Sequence, residues 1–74
     1  AAQAFGKWKK NIEELIKKGI QAGEFKKDTD HVQMALSILA LIEGGIMISK
    51  LTNSQASLHK VLQTTEMIIN QIRK

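Results

Sequence analysis

The sequence predicts an all-α fold of three helices. Two observations carry this. Apolar residues recur every three to four positions over three separate stretches, and no proline interrupts any of them. Between the stretches stand clusters of Gly, Asp, Thr, Asn and Ser, the residues that end and cap helices. With 74 residues the chain is about half an ordinary domain, buries a modest fraction of its surface and is marginal alone. The absence of cysteine excludes disulfide scaffolds, CxxC redox chemistry, Cys-based zinc sites and thiol catalysis. An apolar content of 43% argues against disorder.

The first helix is predicted over about 1–22. Phe5, Trp8, Ile12, Leu15, Ile16 and Ile20 form one continuous stripe, opposite Lys9, Lys10, Glu13, Glu14, Lys17 and Lys18. Glu13 to Lys17 and Glu14 to Lys18 are favourably oriented pairs worth ~0.3 kcal/mol each. Gly23 suits the left-handed position that ends a helix. Gly19, inside the stripe, costs about 1 kcal/mol relative to Ala, so it reads as the mark of a close neighbour. Ala1, Ala2, Gln3 and Ala4 include no good N-cap. Lys7, Lys9 and Lys10 would oppose the dipole of a helix beginning here. The expectation is a helix that begins upstream of Ala1, in a chain that is a piece of a longer protein.

Glu24 to Thr29 reads as a short loop in which Phe25 packs back as an anchor, and Asp30 as the next N-cap. The second helix, about 31–51, is apolar on nearly all sides. A helix of that kind must be covered on all sides. Two amphipathic helices of about 20 residues do not enclose it. Further helices or another subunit must cover the rest. One stripe is small in its middle, with Ser37, Ala40 and Gly44 and the adjoining Gly45, and continues in Ile48 and Leu51. Thr52, Asn53 and Ser54 break the chain. The third helix, about 54–72, carries Leu58, Val61, Leu62, Thr65, Ile68, Ile69 and Ile72 at nearly heptad spacing.

The net charge of +4 lies wholly in residues 1–27, which hold seven lysines against three glutamates. The neutral, apolar remainder points to burial against protein rather than contact with phosphate. Glutamates interleave with the lysines of the first helix, and its aromatics lie on the apolar face, so that segment reads as a solvated face rather than a nucleic-acid surface. The longest unbroken apolar run, Ile38 to Ile42, is too short for a membrane span, and no secretory signal is visible, so no membrane and a cytoplasmic location are expected. His31 has no second His at i+4 and His59 lies on a polar face, so no catalytic, metal or cofactor site is expected, and no enzyme. Glu43, the one acid of the second helix, reads as an edge residue reaching water, or else as a ligand or interface contact.

The order of these features resembles the C-terminal half of TetR-family transcriptional regulators. The stretch from Ile16 to Asp30 looks like the family's helix that ends in a Gly-Glu-hydrophobic turn and a pair of aspartates. Ala35 and the step Leu41-Ile42-Glu43-Gly44-Gly45-Ile46 are similar to its next helix, and Leu58-His59-Lys60-Val61-Leu62 opens the last one. The resemblance covers nearly the whole chain, each motif being soft and their order more specific. It implies a three-helix fragment (1–74) of a TetR-type C-terminal domain, with the last two helices forming a four-helix bundle across a homodimer. The helix-turn-helix that contacts operator DNA is absent from these residues. The dimer face expected on this basis is Ser37, Ala40, Gly44, Ile48 and Leu51 with Leu58, Leu62, Thr65, Ile69 and Ile72, some of which must instead face the chain's own core. Part of a pocket for an unidentified small-molecule effector is expected at Phe5, Trp8, Ile12, Met34 and Ile38. The competing readings are a cationic amphipathic membrane-active peptide, on the strength of Phe5-Gly6-Lys7-Trp8-Lys9-Lys10, and a small helical oligomerisation module.

Overall fold

A computed structural model describes residues 2–74, with side chains from Ala4 onward. Three helices follow one another: α1 (Ala2–Gln21), α2 (His31–Thr52) and α3 (Gln55–Ile72). The expected start of α1 upstream of Ala1 lies outside the described residues.

The boundaries have local causes. Gly23 adopts φ +80° after α1, and Glu24 N–H returns to Gly19 O at 2.9 Å. Asp30 caps α2, its Oδ1 accepting from the backbone N–H groups of Val32 and Gln33 at 3.1 Å each. Asn53 ends α2 in the left-handed region at φ 52°. Ser54 stands at the N-cap of α3, but its hydroxyl makes no capping bond. The ion pair formed on α1 among the described residues is Lys9–Glu13 at 3.4 Å, so Glu13 turns back one turn instead of forward to Lys17.

α2 packs against both other helices, and among the described residues the backbones of α1 and α3 do not come close to each other. The result is close to a single layer of helices, 40 × 28 × 14 Å. Its core joins Ile16, Ala35, Ile38 and Ile72, with Ile12, Ile20, Phe25, Met34, Ile42 and Ile69 packed around them. Gly45 lets α2 and α3 approach: a Cβ there would lie 3.0 Å from Val61 Cγ1 and 3.2 Å from Leu58 Cδ1. Gly44, the small residue expected to admit a neighbour, meets nothing within 4 Å in this chain.

The loop after α1 is tied to the far end of the chain. Phe25 and Arg73 form an antiparallel bridge in which Lys26 N–H donates to Ile72 O at 2.8 Å and Lys74 N–H to Glu24 O at 3.1 Å. The Phe25 ring lies on Gly19, where a Cβ would overlap Cδ2 and Cε2. Gly19→Ala is therefore expected to destabilise the chain by about 1–3 kcal/mol through overpacking, despite its gain in helix propensity. Gly6→Ala, with nothing within 4 Å of the new methyl, is expected to stabilise it by about 0.5–1 kcal/mol. Urea midpoints followed by circular dichroism check both, and a stabilised Gly19→Ala would show that the Phe25 ring is not seated there.

Candidate functional site

Two surfaces stand out. The first is an open apolar cavity of about 450 Å³ between α1, the Phe25 loop and α3, with Ile38 of α2 as part of its lining. Ile12, Leu15, Ile16 and Gly19 line it from α1, and Ile69 and Ile72 from α3, with Lys18 and Glu24 also on its wall. Such a surface has the chemistry to hold an apolar molecule whose few polar groups meet one cation and one carboxylate.

The expected pocket residues do not all meet. Ile12 and Ile38 line the cavity, while Met34 packs beside the core without lining it. Phe5 and Trp8 lie elsewhere, in a separate cleft of about 160 Å³ with Ala4 and Glu43. Sequence reasoning missed Leu15, Phe25, Ile69 and Ile72 as lining residues. The available signal was the pairing of an interior Gly19 with an anchoring Phe25.

The second surface is the outer side of α2. On a helical projection Ser37, Ala40, Gly44, Ile48 and Leu51 share one side of α2, turned about 130° from the buried Ala35, Ile38 and Gly45, with Ile48 at its edge next to Gly45. Ile48 is 48% exposed and Leu51 79% exposed, and Leu36 and Met47 widen the apolar face. The α3 half of the expected dimer face divides differently. Thr65 and Ile72 are buried within this chain, Thr65 donating its hydroxyl to Val61 O at 3.0 Å. These two are core residues here, because α3 turns its stripe onto α2. Leu58 and Ile69 are half-buried, and Leu62 lines a shallow groove with Leu58, Ile46 and Ser49.

Among the described residues no three His, Cys, Asp or Glu side chains cluster as metal ligands. The reading from unbroken runs needs one correction. As a continuous helix, α2 is long and apolar enough to cross a membrane by length and composition alone, since Glu43 and Lys50 do not outweigh its apolar residues.

The family model described as the tetracyclin repressor-like C-terminal domain matches residues 1–65. The chain belongs to the TetR family. A crystal structure of a TetR-family transcriptional regulator from Cytophaga hutchinsonii agrees with it at TM-score 0.92 and 43% sequence identity. That match covers 97% of this chain, which spans 36% of the Cytophaga protein's chain. No curated protein matches. The three helices thus have the all-α fold of a TetR C-terminal domain, a domain of transcription regulators.

Proposed function

We propose that this chain is the dimerisation region, and part of the effector-binding region, of a transcription regulator. The observation that carries this is the apolar outer face of α2. A helix that leaves Leu36, Met47, Ile48 and Leu51 uncovered in a neutral segment is complete only against another apolar surface. Ser37, Ala40 and Gly44 let a second helix axis come close along the middle of that face. A second copy of the chain supplies the matching surface, since a twofold axis pairs like with like.

The cavity between α1 and α3 is the effector surface in this reading. A small, largely apolar molecule seated there touches Phe25, and so presses on the bridge that joins the α1–α2 loop to the end of α3. Helix positions shift, and the separation of two DNA-binding heads outside these 74 residues shifts with them. Operator DNA is contacted only through those heads, in the cytoplasm, and no catalysis is involved.

Sedimentation equilibrium at micromolar concentrations tests the dimer. The expected mass is twice 8.2 kDa, with folded protein by circular dichroism. A folded monomer across the range, or binding to lipid vesicles in place of self-association, would overturn it.

A further inference from the structure

The cleft of Ala4, Phe5, Trp8 and Glu43 has no part in that reading. Its composition is specific. Phe5 and Trp8 lie one turn apart on α1 and are 45% and 52% exposed, so both rings present open surface. Glu43 is the only acid of α2, and among the described residues it makes no ion pair. The antiparallel run of α1 along α2 brings its carboxylate to the wall of the same cleft as the two rings.

Among the described residues the lysines nearby form no ion pair with that carboxylate, although Lys50, two turns further along α2, lines a neighbouring groove with it. Lys9 is held by Glu13 at 3.4 Å. Lys10 lies about 140–160° around the helix from Phe5 and Trp8, on its far side, while Lys7 flanks the cleft about 100° from Trp8 and forms no ion pair with Glu43. The cleft is therefore lined by two aromatic rings, whose faces carry the negative part of a quadrupole, and by one carboxylate. Both features attract a cation. The aromatic surface favours one that sheds its water readily. A hard metal ion needs several oxygen ligands, and here there is one carboxylate. The volume of about 160 Å³ has room for a methylated ammonium group with a short carbon chain.

We infer that the Phe5–Trp8–Glu43 cleft is a binding site for the organic ammonium group of a free small molecule. Trp8 stacks on the methylated nitrogen, Phe5 closes a second side, and Glu43 neutralises the charge. The site is separate from the cavity between α1 and α3.

Trp8 is the only tryptophan, so its fluorescence reports on the cleft directly. The 74-residue chain is titrated with choline at constant ionic strength. The controls are 3,3-dimethylbutan-1-ol, the neutral isostere, and potassium chloride. The expected result is a saturable change with choline and an affinity about fivefold or more weaker for the neutral isostere, with no response to potassium. Glu43→Gln and Phe5→Leu, which both keep the reporter, are each expected to weaken choline binding by about fivefold with unchanged helix content. Equal binding of choline and its isostere, unchanged affinity in Glu43→Gln, or no saturable response would each overturn the inference. Response to phosphatidylcholine vesicles without response to free choline would overturn the assignment to a free ligand. The dimer mass is measured on the same samples, so failure here is distinct from failure of the regulator reading.

Discussion

Ile48→Glu is expected to turn the dimer into a folded monomer. Ile48 sits on the outer face of α2 beside Gly44 and is about half exposed in the single chain. A glutamate there reaches water in the monomer, so folding should change by no more than about 0.5 kcal/mol. In a twofold interface each substitution appears twice, and an unpaired carboxylate is desolvated at a position that anchors the contact. The dissociation constant is expected to rise by about a hundredfold or more, which is roughly 2.7 kcal/mol. Sedimentation equilibrium reads the mass and circular dichroism the helix content. Leu15→Glu, exposed on the cavity side, is the control and should remain dimeric. An Ile48→Glu chain that dimerises as before would remove the outer face of α2 from the interface.

The second large effect concerns folding. Leu39 is the largest fully buried side chain, 1% exposed. Truncation to Ala removes its transfer free energy and leaves a cavity, a cost of about 2–5 kcal/mol. At about 0.05–0.15 kcal/mol per residue a chain of 74 residues has roughly 4–11 kcal/mol in all, so this cost is a large share of it. Leu39→Ala is therefore expected to be largely unfolded, or to melt at a much lower urea concentration. Leu51→Ala, on the outer face, should match the parent chain when the two are compared at concentrations where both are monomeric. Equal midpoints for the two variants would show that Leu39 is not the buried centre.

Features with local causes were legible in the sequence. Asp30, Gly23 and the break at 52–54 act within a few residues of themselves, and the helix limits follow from them. Gly19 showed that something approaches, and the anchoring role of Phe25 was visible, but their pairing needed the fold. The α3 stripe shows the limit of periodicity. It defines which side is apolar and leaves open what covers that side. Thr65 and Ile72 face α2, although the same spacing would serve a partner helix. The pocket reading split for a geometric reason. Met34 and Glu43 are nine positions apart on α2, about 14 Å along the axis. Because α1 runs antiparallel, its first turns lie beside Glu43 and its last turns near the Met34 end. A stripe on one helix was thus divided between two clefts.

The bridge between Phe25 and Arg73 also makes the chain a noncovalent ring. Residues 25–73 leave the bridge along α2, turn at Asn53 and return along α3 to the same point, while α1 packs on α2 from outside this circuit. Closing a circuit of that length costs chain entropy on the order of 3 kcal/mol, so its hydrogen bonds form only when the two long helices are already in place. Lys74 then shares one opening event with the loop that follows α1. Amide exchange at Lys26 and Lys74, each divided by that amide's intrinsic rate, should accordingly give a single protection factor, because neither proton can leave until the ring opens.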